Sequence, residues 1–346
     1  MSLLKTYIVP HPPIIIPKIG LGEEKKIQDT VDSYMEIAKE IKVLEPDTII
    51  ISSPHSQMYM DYFHISPGRK ASGDFSHFGV QGIEVSVKYD KELAKSIELE
   101  ARKRNIDAGT KGEKNKSLDH GTMVPLHFIQ QEYSDFMVVR LSPSGLSPLE
   151  HYKYGEMIHS LIPEDKKVIW VASGDLSHKL KEDGPYGLAK EGPIFDKAIV
   201  EIAKEGDLLK LMDLGPHLCH NAAECGLNSF IMMSGMLDKY ECSSQFLSYE
   251  GTFGVGYLIA SFTPLKESKS KVYDYELEKQ KERDIKRDQE DPYLKLARLS
   301  LEHYTKTKSM LRVPSGLPKG LYEVKAGAFV SLHISDRLRG CVGTTN

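Results

Sequence analysis

Four short runs rich in β-branched residues constrain this chain more than any other feature: "TYIV" (6–9), "TIIIS" (48–52), "FMVVRL" (136–141) and "KVIWVA" (167–172). Each is short and rich in β-branched residues, so each reads as a buried strand. Between them lie segments with apolar residues at helical spacing. The first is 22–43, carrying Ile27, Val31, Met35, Ile37 and Ile41; 90–104, 149–162 and 194–212 are similar. Strand–helix alternation predicts an α/β domain: a central, largely parallel sheet with helices on both faces. Two later runs, 243–251 and 254–262, have the form of a closing hairpin and make the sheet mixed.

Composition narrows the class. The chain has 346 residues, 40% hydrophobic and 27% charged, with a formal net charge of −4. That suits a globular chain with a sizeable core and makes nucleic acid an unexpected partner. No window is apolar for long enough to span a bilayer, and "MSLLKTYIV" meets a histidine and prolines too early for a signal peptide. The four cysteines, Cys219, Cys225, Cys242 and Cys341, form no CxxC, which points to a reduced, cytoplasmic setting.

A break in composition follows residue 264. Residues 265–291 are charged almost throughout and read as a linker or exposed helix; "DPYLKLARLSLEHYTK" (291–306) then carries a helix start, and "GAFVSLHISDRLRGCVG" (327–343) a strand, turn and strand. The expected organisation is a domain at 1–264, a linker at 265–291 and a small, incomplete α+β unit at 292–346.

Function is sought at the strand ends, because ligands of open α/β sheets bind outside the carboxyl ends of strands. The first strand runs into "VPHPP" with His11, the second into "SSPHS" with His55, the fourth into "SGDLSH" with Asp175 and His178. Proline stops a strand and leaves the residue before it at the lip. If the strands are parallel neighbours, three imidazoles converge on one crevice. Two imidazoles and a carboxylate with open positions suit non-haem Fe(II) and O₂ chemistry. The third ligand is sought in "HLCHNAAECGLNSF" (217–230), where Glu224 precedes a helical run and Cys225 is its rival; Glu250 is a weaker one. In "LDHGTMVPL" (118–126), Gly121 permits close backbone approach and would hang His120 near the crevice. His64, His77, His151, His159 and His303 read as surface or ordinary packed residues.

In this order, "VPHPP", "SSPHS", "DHGTMVPL", "SGDLSH" and "AAECG" resemble the class III extradiol ring-cleavage dioxygenase fold, of the protocatechuate 4,5-dioxygenase β-subunit type, and the Memo family that shares it. The resemblance covers roughly residues 5–263. "GAFVSLHISDRLRGCVGT" (327–344) is similar to the signature of the AMMECR domain, a pairing characteristic of the AmmeMemoRadiSam system, protein A type. The resemblance implies His11, His55 and Glu224 as metal ligands, while Cys225–Gly226 reproduces the Memo pair, so both third ligands stay open. It implies Fe(II), with Zn(II) or copper as alternatives, and a catechol-like substrate with O₂. It also implies His178 as general base and acid, His120 as a hydrogen-bond donor to the substrate, and Asp175 as the group orienting His178 or capping its turn. A radical SAM protein is the implied partner, and a homodimer is the default assembly. The competing expectations are a non-catalytic protein holding a redox metal and a Zn(II) hydrolase. "SGDFSHFG" (72–79) resembles a segment common in these two-domain proteins and carries no assigned role.

Overall fold

The computed structural model describes residues 2–114, 116–324, 326–334 and 337–345, which form two compact units, Met1–Lys271 and Val272–Asn346. In chain order the first unit runs β1 (Leu3–Val9), the single turn α1 (Pro17–Gly20), α2 (Gln28–Leu44), β2 (Thr48–Ser52), β3 (Phe63–His64), β4 (Lys70–Asp74) and β5 (Glu84–Tyr89). It continues with α3 (Lys91–Lys103), β6 (Ala108–Gly109), α4 (His120–Gln130), β7 (Met137–Leu141), α5 (Pro148–His159) and β8 (Val168–Ser173). It ends with α6 (Glu191–Glu205), α7 (Pro216–Ala222), α8 (Leu227–Met236), β9 (Tyr240–Glu250) and β10 (Tyr257–Glu267).

Eight strands form one sheet in the order β4-β5-β7-β2-β8-β1-β10-β9. Its five central strands, β5, β7, β2, β8 and β1, are parallel. Antiparallel strands close both sides: β4 on β5, and the β9–β10 hairpin on β1. The sheet is therefore mixed and largely parallel, as the alternation predicts. Tyr7, Val9, Ile49, Ile51, Ile169 and Val171 face a core shared with Tyr34, Ile37 and Ile41 of α2 and Val124 of α4. The alternate residues Ile8, Ile50 and Trp170 are equally buried on the other face, where α8 packs on β8 and on α5. The α5–α8 crossing is close because both helices put a glycine at the contact. A Cβ on Gly155 would lie 1.8 Å from the Met232 carbonyl oxygen, and one on Gly235 would lie 1.9 Å from that of Tyr152.

The structure departs from the sequence reading in places. The helix expected from residue 22 begins at Gln28, after the 3-10 turn Glu23–Ile27. The one expected to reach 212 stops at Glu205, where Gly206 takes a left-handed φ of 75° that ends the helix. Strands β4 and β5 escaped notice altogether. The first domain's last strand runs to Glu267, past 264; of the two readings of the charged stretch, linker or exposed helix, most of it is helix α9 (Lys271–Asp288).

The second unit contains α10 (Pro292–Thr307), whose first amides are capped by Asp291, and an antiparallel hairpin of β11 (Ala328–Ile334) and β12 (Arg337–Thr344). Many of its apolar side chains, among them Leu294, Phe329 and Val342, are exposed. Among the described residues no helix is long and apolar enough to cross a membrane.

Candidate metal centre

Three neighbouring parallel strands, in the order β2-β8-β1, deliver their carboxyl ends to one rim of the sheet. His11 lies two residues beyond β1. Its backbone N–H donates to Asp175 Oδ1 at 2.8 Å, just beyond β8. Its Nδ1 lies 2.9 Å from Ser173 Oγ, while that hydroxyl donates to the Gly121 carbonyl at 2.5 Å. A serine hydroxyl has one hydrogen. Committed to Gly121, it accepts from His11 Nδ1–H, and the Nε2 lone pair of His11 is left bare toward the rim.

His55 follows β2 through Ser53 and Pro54. Its backbone N–H donates to Ser53 Oγ, and that hydroxyl donates to Asp119 Oδ1 at 2.5 Å. Asp119 also caps α4, accepting from Thr122 N–H at 3.0 Å, so one carboxylate fixes both the His55 turn and His120, the first residue of α4. Buried Arg140, paired with Glu113 at 2.8 Å, lies 3.6 Å from Asp119 Oδ2. His55 Nε2 stands 3.0 Å from His11 Nε2, and the His120 ring packs on His55, tilted by 32°, with centroids 4.2 Å apart.

Cys225 comes from the turn before α8. Its N–H and that of Gly226 donate to the Asp175 carbonyl, at 3.3 and 3.1 Å. This approach requires glycine twice, since a Cβ on Gly174 would fall 2.1 Å from Gly226 Cα. The thiol thereby sits 3.6 Å from His11 Nε2 and accepts the Asp175 N–H at 3.3 Å. The ligating atoms of His11, His55 and Cys225 all lie within 4.8 Å of one another. Donors 3.0 and 3.6 Å apart suit a single ion held at about 2.0–2.1 Å by nitrogen and about 2.3 Å by sulfur. The donor set, two imidazole nitrogens and a thiol, fits a transition metal.

Burial keeps these groups uncharged. It holds His11 well below the usual histidine range, with His55, His120 and His178 adding to the effect. It lowers His55 to about 4, and lowers His120 and His178 as well. Burial, then the Asp175 carboxylate, pushes the Cys225 thiol up. Desolvation raises Asp175 to about 7.

Two residues sit differently from the sequence expectation. Glu224 is outside the group formed by His11, His55 and Cys225; its Oε2 accepts the Leu227 N–H at 2.8 Å, the first amide of α8. A helix N-terminus leaves amides without partners and attracts a carboxylate, so Glu224 serves the helix while its neighbour faces the imidazoles. Asp175 does not orient His178 either. Its Oδ1 holds His11, and it is the Ala223 carbonyl that lies 2.5 Å from His178 Nδ1. A carbonyl only accepts, so Nδ1 carries the hydrogen and the second lone pair, on Nε2, is free. Glu250 accepts from Thr30 at 2.8 Å instead. His64 and His151 are fully buried. The sequence reading missed the roles of Ser53, Ser173 and Asp119; the serines before Pro54 and after "VIWVA" were the available signal.

The sheet and this cluster define an α/β protein that gathers metal-type donors at the ends of parallel strands. By its sequence the chain belongs to the LigB family, described as the catalytic LigB subunit of aromatic ring-opening dioxygenase, matched over residues 5–260. An AMMECR1 match follows over residues 294–346. The chain is 37% identical to the Clostridium acetobutylicum protein CA_C1420, covering 99% of this chain and 75% of that protein. It is 26% identical to Escherichia coli 3,4-dihydroxyphenylacetate 2,3-dioxygenase, over 62% of this chain and 83% of the relative. With Beta vulgaris 4,5-DOPA dioxygenase extradiol it shares 25% identity, over 56% and 71% of the two chains.

Proposed function

We propose that the first unit is a metal-dependent oxidoreductase that opens a small aromatic diol with O₂, its metal held by His11, His55 and Cys225. The observation that carries this reading is the 3.0 Å approach of two imidazole Nε2 atoms beside a thiol, with a third and fourth histidine around them. Two distant relatives named for 3,4-dihydroxyphenylacetate and DOPA dioxygenation support the substrate class. Bound there, Fe(II) supplies Lewis-acid activation and an electron path between diol and O₂.

The protein's own groups do the rest. His178 is neutral near pH 7, and its Nδ1–H is held by the Ala223 carbonyl, so Nε2 takes a proton from a substrate hydroxyl and returns it later. His120, packed on His55, donates a hydrogen bond to the bound ligand. Asp175 positions His11 through its backbone amide. The absence of CxxC pairs and of a long apolar helix among the described residues is consistent with cytoplasmic work. A radical SAM protein of the same system is the proposed partner.

One observation favours a second reading. A thiol where the triad reading put a carboxylate makes the donor set softer, and His₂Cys suits copper or zinc. The chain would then hold copper as a redox metal, or zinc, without turning over a diol.

Purification without oxygen, metal analysis and O₂ uptake with a panel of catechols separate the two. Iron with diol-dependent uptake is expected, and His178→Ala should keep its metal while losing at least about a hundredfold in turnover. Wild-type turnover by His178→Ala would refute the base assignment; stoichiometric copper without uptake would establish the second reading.

A further inference from the structure

We infer that Phe78 and Tyr186 are the two walls of the ligand mouth and select a flat aromatic ring. The inference rests on the proposed reading of the metal centre and adds the side chains that decide what enters it. Each wall touches one of the outer histidines. The Phe78 ring meets His120 at 5.5 Å and 69°, and the Tyr186 ring meets His178 at 5.2 Å and 83°. The two aromatics come from loops more than a hundred residues apart, yet each stands one ring outside the same cluster. His120 packs on both His55 and His11, and His178 Nδ1 lies 2.5 Å from the carbonyl of Ala223, two residues before Cys225.

Neither ring is where burial alone would put it. Phe78 is 39% exposed and Tyr186 61% exposed, so both rings are within reach of a ligand that enters from solvent. Both loops are anchored. Phe78 ends a 3-10 turn whose Ser76 N–H is held by Asp74 Oδ1 at 2.9 Å, next to fully buried Phe75. Tyr186 sits in a loop closed at its base by Ala189 N–H donating to the Lys179 carbonyl and by a Leu180–Leu188 bridge. Leu180 also donates to the Gly254 carbonyl at 3.1 Å, which ties the loop to the turn before β10. The rings are thus presented, not left over. This assigns a role to the "SGDFSHFG" segment, whose last aromatic is Phe78. A planar ring chelating at the cluster is gripped by these faces and edges, whereas a compact anion reaching the same metal touches neither.

The test titrates metal-loaded full-length protein with 4-nitrocatechol under nitrogen, reading the visible spectrum, and with azide as a small ligand of the metal alone. Phe78→Ala and Tyr186→Ala should each raise the 4-nitrocatechol Kd by roughly 3- to 10-fold, the range of a lost aromatic pair. Metal content and azide affinity should be unchanged, and Tyr186→Phe should bind as wild type. If the alanine variants bind 4-nitrocatechol as wild type, the walls are wrong and the metal reading stands. Equal weakening of azide also overturns the walls, because the damage is then to the metal. Loaded wild type that binds azide but not 4-nitrocatechol overturns both proposals.

Discussion

Cys225 can share an ion only as thiolate, and burial beside Asp175 keeps the proton on its sulfur. At pH 8 the Asp175 and Glu224 carboxyls, each raised to about 7, are already ionised, and His55, lowered to about 4, is already neutral. Metal uptake at pH 8 should therefore release about one proton, measured by calorimetry in buffers of different ionisation enthalpy. Affinity should fall about tenfold per pH unit on acidification. A steeper slope near pH 6.5 would mean that an ordinary histidine also competes with a proton. Cys225→Ala should lose the metal, while Glu224→Gln should keep full stoichiometry; the opposite pattern would return the ligand role to Glu224. At this scale the sequence was legible where chemistry is tied to a strand end: His11, His55 and His178 all follow apolar runs. It was not legible at "AECG", where two adjacent donors point in different directions. Only the position of the first α8 amide settles which one turns inward.

At the scale of elements, the α5–α8 crossing depends on two backbones meeting at glycine. Gly155→Ala would drive a methyl into the Met232 carbonyl oxygen. It should cost about 1–3 kcal/mol, read as a lower urea midpoint at unchanged slope; an unshifted midpoint would show that the helices separate freely. The buried central strands announced themselves because β2 and β8 are buried throughout and each carries a run of apolar residues. The edge did not. β4, "KASGD", alternates exposed and covered residues with little apolar content. β5 did carry a usable signal, Val85, Val87 and Tyr89 alternating inward, but a search for continuous apolar runs passes over it.

For the whole molecule, Asp196 sets a pH dependence. Burial raises it to about 7, although it accepts from Ser177 N–H at 2.8 Å and Tyr249 Oη at 2.7 Å. A carboxyl whose folded pKa exceeds its unfolded value of about 3.9 costs stability as pH rises between the two, at up to about 1.4 kcal/mol per unit. The buried histidines, held below their ordinary range, act with the opposite sign below about pH 6.5, so the effect is read as a difference: the wild-type urea midpoint relative to that of Asp196→Asn should fall from pH 4.5 to pH 7 and level off above. A parallel slope in the variant would assign the effect to Asp175 and Glu224, which share its sign. A change in composition near residue 264 was legible from charge alone, but the first unit runs on to Lys271, and the polar residues that follow fit a helix and a coil equally. His11 and Cys225 are 214 positions apart in sequence and meet at 3.6 Å. An ion shared between them is a clasp that fastens the beginning of the first unit to its far half. Its loss would release both ends at once, so the loaded protein should outlive the empty one wherever proteases sample transient opening.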